Sequence, residues 1–270
     1  MRQRLLTGRT TMRNLALDLR LLAGNAAYTK FVVLGRSRTG SNLLRSLLND
    51  HNQVEAYGEV FRSQDSMDWD HIGYLQNGKM QHLLLQDPIK FVGERIFRRY
   101  PKETAAVGFK IFYYHAQQPN WQPIWPYLQA QTDLHIIHMK RHNILETHLS
   151  RKRAELTDSW VNTTGEKERV PTVTLDYQEC LADFERTRAY ETEFDQRFAH
   201  HPKIELVYEA LARDNEAEMQ RIQQFLHLPY QPVKPSIFKQ AHKPLSQAIA
   251  NYAELKAQFA GSPWESFFIE

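Results

Sequence analysis

The residues with the clearest chemical potential form one short segment between positions 35 and 42, which reads G-R-S-R-T-G-S-N. Its two glycines permit a tight loop, and the backbone N–H groups of such a loop can surround an anion. Its arginines add positive charge, and its hydroxyl and amide groups add hydrogen-bond donors. The segment is therefore typical of a phosphate-binding loop. The candidate binding residues are Arg36, Ser37, Arg38, Thr39, Gly40, Ser41 and Asn42.

The residue after the second glycine limits the choice of ligand. Loops that bind nucleoside triphosphates follow the pattern G-x-x-x-x-G, then lysine, then serine or threonine, and that lysine reaches the terminal phosphates. Here Ser41 occupies the position of the lysine. The loop therefore disfavours ATP and predicts an anion held by arginines and hydroxyls without a metal ion. The alternative interpretation is an ordinary helix start, because serine and threonine are common helix caps.

The sequence on both sides of the loop predicts the elements that position it. Phe31–Leu34 is apolar and stops at a glycine, which is typical of a buried strand, and leucines then recur with helical spacing. A second short strand begins at Val54, and Gly58 ends it just before Glu59. Ligands of open α/β sheets bind outside the carboxyl ends of the strands, so Glu59 is expected to share a crevice with the loop. The alternative is a surface glutamate on a turn.

Three more apolar runs complete the predicted sheet. One of them contains Lys110, which either extends from the end of its strand or meets an anion. Another leads directly into Arg141 and then into a helix that carries Ser150. The pattern predicts an α/β fold, a P-loop-like parallel sheet of about five strands flanked by helices, in a single domain. The predicted strands are 31–34, 105–112, 134–139, 204–208 and one within 54–61 that Gly58 ends. The predicted helices are 144–150, 176–199, 214–227 and 246–258.

Length and composition indicate how the chain is organised. With 270 residues and 42% hydrophobic content it can bury a large core, and we expect one domain at 30–270. Residues 1–29 form a separate amphipathic helical segment in this interpretation. Charges interrupt its leucines, so it resembles neither a transmembrane helix nor a signal peptide. It is expected to pack on the domain or on a partner, with contact to a membrane surface as the second alternative.

Charge, cysteine and histidine usage exclude several classes of function. The net charge is only +3, and no dense block of lysine and arginine indicates nucleic-acid binding. The single cysteine, Cys180, cannot form an intrachain disulfide, so nothing requires an oxidising compartment and we expect a cytoplasmic protein. Twelve histidines are present, but no H-E-x-x-H motif or Cys/His cluster with ligand spacing occurs, and no metal site is expected.

Three motifs occur in order along the chain. They are Arg38–Ser41 between a strand and a helix, Gly58–Glu59 after the second strand, and R-H-N-I-L-E-T-H-L-S from Arg141 to Ser150. Together they resemble the sulfotransferases that use 3′-phosphoadenosine 5′-phosphosulfate (PAPS), most of all the bacterial carbohydrate enzymes such as the nodulation-factor and trehalose sulfotransferases. The resemblance covers about residues 30–260, and it includes L-V-Y-E-A-L at 206–211, I-Q-Q-F-L-H-L at 222–228, and Lys239 and Lys243.

This resemblance implies how the donor binds. Ser37–Asn42 would surround the 5′-phosphosulfate, and Arg141 and Ser150 would hold the 3′-phosphate. The sequence departs from the family in two respects here, because the basic residue before Arg141 is Lys140 and His142 stands where a second arginine is common.

The resemblance also implies the catalytic roles. Glu59 would be the base that takes the proton of the acceptor hydroxyl. Arg38 and Lys110 would neutralise charge on the sulfonyl group and on the leaving oxygen. His51 and His115, on neighbouring segments, are the next candidates for the base.

The acceptor would be a hydroxyl of a small molecule, a carbohydrate or a glycolipid. Segments 63–100 and 157–172 should line its pocket, where Trp69, Tyr74 and Trp160 could stack on sugar rings or simply belong to the core. Two other functions stay open. The retained set Arg38, Glu59, Arg141 and Ser150 argues against a non-catalytic protein that binds a glycan or partner with a nucleotide-type fold. The missing loop lysine argues against a small-molecule kinase.

Overall fold

A computed structural model describes residues 12–62, 78–158, 171–237 and 243–269. Its centre is a sheet of five strands in the order β2-β3-β1-β4-β5, and every neighbouring pair in it is parallel. This sheet confirms the predicted α/β class. The strands are β1 (Thr29–Gly35), β2 (Val54–Tyr57), β3 (Ala106–Phe112), β4 (His135–Lys140) and β5 (Lys203–Val207).

Helices flank the sheet on both faces, as the sequence predicts. Eleven α-helices occur in the described ranges, together with a π-helix at Val92–Ile96 and 3₁₀ turns at Pro119–Trp121 and Glu265–Phe268. The α-helices are 12–18 (α1), Ser41–Asp50 (α2), Gly78–Gln86 (α3), Pro88–Phe91 (α4), Ile124–Ala130 (α5), Ile144–Thr157 (α6), Tyr177–Arg197 (α7), Tyr208–Arg213 (α8), Asn215–Phe225 (α9), Leu245–Ala248 (α10) and Tyr252–Gln258 (α11).

The central strand β1 shows why the apolar run is continuous. Successive side chains of a strand point to opposite faces, so a strand covered on both faces must be apolar throughout. Val32 and Leu34 pack with residues of α3, α4 and α5. Phe31 and Val33 pack with residues of α2, α8 and α9 on the other face. This double coverage fixes β1, and therefore fixes the position of the loop that follows it.

A third apolar cluster joins α6 and α7 to the C-terminal helices α10 and α11. Here the structure differs from the prediction of one helix over 246–258. Ile249 has an extended backbone, and Val173 pairs with the chain on both sides of it. The N–H of Val173 donates to the carbonyl of Ala248, and the N–H of Ala250 donates to the carbonyl of Val173. These bonds take backbone groups that a continuous helix would need.

The α1 segment packs against the residues that precede β3. Leu17 is buried, and Asp18 forms an ion pair of 2.8 Å with Arg98. The backbones of Asn25 and Tyr100 exchange two hydrogen bonds. Within the four described ranges, no helix has both the length and the apolar content needed to cross a bilayer.

Candidate active site

The loop predicted to bind an anion connects the end of β1 to the start of α2. Gly40 precedes the helix with φ +83°, and no side chain caps the helix start. The first N–H groups of a helix lack intrahelical partners and attract anions. A Cβ atom at Gly40 would lie 2.3 Å from Cδ2 of Tyr208, so only glycine fits there. The structure therefore places an uncapped helix start at the carboxyl edge of the central strand.

Two contacts fix the shape of this loop. The Thr39 hydroxyl is buried and donates to the carbonyl of Arg36 at 2.8 Å. The N–H of Ser37 donates to the Tyr114 hydroxyl, which lies after β3, at 3.1 Å. Thr39 thus stabilises the conformation of the loop through its hydrogen bond to Arg36.

The side chain of Arg36 enters a buried ion-pair network with α6 and α7. Its guanidinium contacts Asp183 at 3.1 Å and the hydroxyl of Thr187, and Arg151 contacts Asp183 at 2.9 Å. Burial alone would raise the pKa of Asp183, but His148 and the two guanidinium groups hold that pKa well below its usual value. Arg36 therefore anchors the loop to the helical layer, a contact between residues 147 positions apart that no local pattern indicates.

The first of two charged clusters, the Glu59 cluster, consists of Asn42, Glu59, Lys110 and His115. Lys110 lies in β3 and is only 1% exposed. Its ammonium donates to Oε1 of Glu59 at 3.0 Å and to the side-chain oxygen of Asn42, at the start of α2. The structure thus brings together a predicted base, a predicted lysine and a predicted loop residue.

The protonation states in this cluster follow from burial and charge. Burial alone would raise the pKa of Glu59, but the neighbouring Lys110 ammonium, together with His115 and Arg62, leaves that pKa below its usual value. Burial lowers the pKa of His115 to about 4, so this imidazole is neutral at neutral pH. Its Nδ1 accepts the N–H of Phe112, so Nε2 carries the proton and lies 3.8 Å from Oε2 of Glu59. Glu59 is the ionised carboxylate of the cluster.

The other candidate base, His51, does not join this cluster in the structure. It is buried, and both of its ring nitrogens contact backbone groups. Nδ1 accepts the N–H of Gln53 at 3.2 Å, and Nε2 lies 3.1 Å from the carbonyl oxygen of Pro229. Both ring nitrogens of His51 are therefore occupied by backbone groups at the turn that leads into β2.

The second cluster, the Arg141 cluster, consists of Arg38, Arg141, Ser150, Glu146, Tyr208 and Glu209. Arg141 directly follows β4, and its Nη1 donates to the carbonyl of Arg38 at 3.2 Å. Nε of Arg38 donates to the hydroxyl of Ser150 on α6 at 2.9 Å. The two residues expected at the 3′-phosphate therefore both contact the loop residue Arg38. The Arg38 side chain joins this cluster through its bond to Ser150.

Tyr208 and Glu209 also join this cluster, although the sequence analysis quoted them only within the 206–211 motif and gave them no role. The Tyr208 ring packs against Gly40, and its centroid lies 4.5 Å from Cζ of Arg141. The Glu209 carboxylate accepts the N–H groups of His142 and Asn143 at 3.1 and 3.2 Å. Both residues directly follow β5, at the sheet edge where ligands are expected. The rule that indicated Glu59 could have indicated them as well.

Two further expectations from the sequence concern metal binding and the acceptor pocket. In the part of the chain that the structure describes, no group of three or more His, Cys, Asp and Glu side chains is arranged to hold a metal ion. The aromatic residues proposed for the acceptor pocket, and one of the two late lysines, lie outside the described residues; they are Trp69, Tyr74, Trp160 and Lys239.

Comparisons with known proteins indicate the family of this chain. Residues 31–232 match the model of the Sulfotransferase family. The chain is 28% identical to Nodulation protein H of Rhizobium tropici over 88% of this chain and 92% of that protein. It is 29% identical to Nodulation protein H of Rhizobium meliloti strain 1021, over 88% of this chain and 94% of the relative. A sulfotransferase structure from Alicyclobacillus acidocaldarius is 17% identical with a TM-score of 0.48, covering 88% of this chain and 93% of that one.

Proposed function

The chain belongs to the sulfotransferase family, and from this we propose that it transfers a sulfonyl group from PAPS to a hydroxyl of a carbohydrate or glycolipid. One observation carries the proposal. The buried Lys110 joins an ionised carboxylate, Glu59, to Asn42 at the uncapped start of α2. A carboxylate, a cation and an uncapped helix start thus meet at one place, which supports the roles proposed below.

The donor assignment is supported by the arrangement of two cationic centres around the loop. Lys110 contacts the loop through Asn42, and Arg141 contacts it through the carbonyl of Arg38. PAPS carries anionic groups at both its 5′ and 3′ positions. We infer that the loop, Ser37–Asn42, binds the 5′-phosphosulfate, and that Arg141 binds the 3′-phosphate together with Ser150. A guanidinium can form paired hydrogen bonds with such a phosphate.

The proposed reaction needs few protein groups. Sulfonyl transfer, like phosphoryl transfer, requires mainly alignment of the reactants and stabilisation of charge. The acceptor oxygen forms a bond to sulfur while the bond between sulfur and the bridging oxygen of the donor breaks. Glu59 takes the proton of the acceptor hydroxyl, and Lys110 stabilises the negative charge that develops on the leaving oxygen. Arg38, within the loop, would help to neutralise the charge on the sulfonyl group.

Ligand-dependent thermal unfolding tests the donor. We expect 3′-phosphoadenosine 5′-phosphate to raise the melting temperature, because a ligand that binds only the native state stabilises it by about 2.7 kcal/mol at 100 times its Kd. AMP and ATP with magnesium should raise it much less. A preference for ATP would support the kinase alternative and contradict this proposal.

A transfer assay with labelled PAPS tests the reaction and the acceptor. The acceptors should include free sugars, glycolipids and simple alcohols at matched concentrations. We expect label in a carbohydrate-containing product. Tight binding of 3′-phosphoadenosine 5′-phosphate with no label transferred to any acceptor would favour a non-catalytic binding protein.

A further inference from the structure

Exposed apolar side chains concentrate in one place on this protein. Among the described residues ten large hydrophobic side chains are exposed, and five of them lie between positions 12 and 22. We call these five the leucine ridge. They are Met12, Leu15, Leu19, Leu21 and Leu22, with exposures of 74%, 57%, 61%, 76% and 47%. Single exposed hydrophobic residues are common on surfaces, but a concentration of this kind marks an interaction site.

The ridge lies on a segment that is attached to the rest of the fold. Leu17 and Asn14 are buried, and Asp18 pairs with Arg98 at 2.8 Å. Further along, the guanidinium of Arg99 donates to the carbonyl of Gly24 at 2.6 Å. The segment has therefore already buried Asn14 and Leu17 against the domain, while the five ridge side chains stay exposed.

The charges around the ridge indicate the nature of its partner. Arg13 and Arg20 are exposed within the segment, and Asp18, its one acidic residue between positions 12 and 28, is already paired with Arg98. The preceding residues 1–11 contain three more arginines and no acidic residue. A second copy of this chain would bring like charges together, which disfavours association through the ridge. A surface that is both apolar and negatively charged fits better.

We propose that the leucine ridge docks this protein reversibly on a membrane that contains anionic lipids. The apolar side chains would enter the boundary between head groups and acyl chains, and the arginines would contact lipid phosphates. Apolar burial and electrostatic attraction add in such binding, and neither is strong alone for a short segment. The proposal concerns location and does not depend on the donor or the acceptor.

Co-sedimentation of the full chain with lipid vesicles tests the proposal. We expect strong binding to phosphatidylcholine vesicles that contain phosphatidylserine and weak binding to phosphatidylcholine alone. Binding should fall as salt rises, because the Debye length shrinks from about 10 Å at 0.1 M to about 3 Å at 1 M ionic strength. Arg13→Gln with Arg20→Gln should lower the partition coefficient by more than about tenfold, given the contribution of each basic residue near such a surface.

The leucines are tested with matched controls from the same chain. The triple variant Leu15→Ser, Leu19→Ser and Leu21→Ser should lose vesicle binding and keep the wild-type melting temperature, since these side chains are exposed. Leu156→Ser and Ile269→Ser change side chains that are 66% and 72% exposed elsewhere, and should bind vesicles as wild type does.

Three outcomes would overturn the proposal. The first is equal binding to neutral and anionic vesicles, and the second is equal loss of binding in the control variants. The third is a wild-type dimer in gel filtration that the triple variant abolishes while neither protein binds vesicles, which would assign the ridge to a second copy of this chain.

Discussion

The Glu59 cluster and the Arg141 cluster are both built around a cation that contacts the same loop, but the cations are balanced differently. Lys110 is 1% exposed, and its carboxylate partner in the cluster is Glu59. Arg141 lies between two carboxylates, Glu146 and Glu209, and stacks on an aromatic ring. A compact ammonium acts as a point charge, whereas a guanidinium is a planar group that must be held in one orientation.

This difference indicates a division of labour. In the first cluster the lysine controls the carboxylate, because it keeps Glu59 ionised despite burial. In the second cluster the two carboxylates hold the guanidinium of Arg141 in place. Their side chains are more exposed than that of Glu59, at 26% for Glu146 and 38% for Glu209 against 16%. One cluster is thus suited to a reaction and the other to holding a charged group in place. Substitutions in the Glu59 cluster should therefore lower turnover, and substitutions in the Arg141 cluster should weaken donor binding.

The largest effect is expected at Lys110. Lys110→Met should lower turnover by about 10²–10³-fold, the usual loss when one preorganised charge-stabilising group is removed. It should also leave Glu59 buried without its ammonium partner, so the pKa of that carboxyl should rise above its usual value. Steady-state kinetics and thermal unfolding measure the two effects.

The loss of stability caused by Lys110→Met should become smaller as pH falls. In the wild type the folded-state pKa of Glu59 is lowered, so its contribution to stability is present above the usual value of 4.5 and is lost as pH falls through the lowered pKa. The melting temperatures of wild type and variant should therefore converge as pH falls below about 4.5. A difference that does not change with pH would contradict the role of Lys110 as the partner of Glu59.

A loss of turnover of similar size is expected at Glu59, without the change in the pKa of a neighbouring group that Lys110→Met should cause. Glu59→Gln keeps the size of the side chain but cannot take a proton, so turnover should fall by about 10²-fold or more, the range for general bases. Calorimetry should show nearly unchanged binding of 3′-phosphoadenosine 5′-phosphate. Glu146→Gln, a carboxylate in the other cluster, is the matched control and should change donor affinity more than turnover. Near wild-type turnover in Glu59→Gln would remove Glu59 as the base.

Arg141 should affect binding more than chemistry. Arg141→Ala should weaken binding of 3′-phosphoadenosine 5′-phosphate by about 10–100-fold, since a hydrogen bond to a charged group contributes about 1.5–3 kcal/mol. It should change AMP binding much less. Arg221→Ala, at an arginine side chain that is 51% exposed on α9, controls for loss of a positive charge. An Arg141 variant that still discriminates between the two nucleotides as wild type does would exclude this residue from the 3′-phosphate site.

These clusters show what the sequence could and could not predict. β1, the loop and Lys110 were predictable, because a continuous apolar run, a glycine pair and a lysine inside a strand are local signals. The pairing of Lys110 with Glu59 was not predicted, because the rule that ligands bind outside the carboxyl ends of strands indicated only that Glu59 would share a crevice with the loop. The pairing of Arg36 with Asp183 was not predictable, since helix α7 offers no local sign that Asp183 is buried. The break at Ile249 also depends on a distant strand-like partner, Val173.

Tyr208 should have a smaller effect than Arg141, because it acts on the donor through its contact with that arginine. Tyr208→Phe keeps the ring and should bind donor almost as wild type does. Tyr208→Leu loses the cation–π contact, worth about 0.5–2 kcal/mol, and should weaken binding of 3′-phosphoadenosine 5′-phosphate by a few-fold up to about 30-fold. Equal behaviour of the two variants would indicate that the ring serves only to pack against Gly40.

The smallest expected effect is the absence of a pH response near neutrality. The lowered pKa of Glu59 and the pKa of about 4 for His115 mean that neither group changes protonation as pH rises above about 5.5. The kcat/KM for the acceptor, measured at saturating donor, should therefore be constant between about pH 5.5 and 8, with its acid limb at lower pH. Lys110→Met should shift that limb to higher pH, because the ammonium that lowers the pKa of Glu59 is gone. A wild-type limb near pH 6.5 that stays in place in the lysine variant would instead point to a histidine base, and would break the assignment of the reaction to the Glu59 cluster.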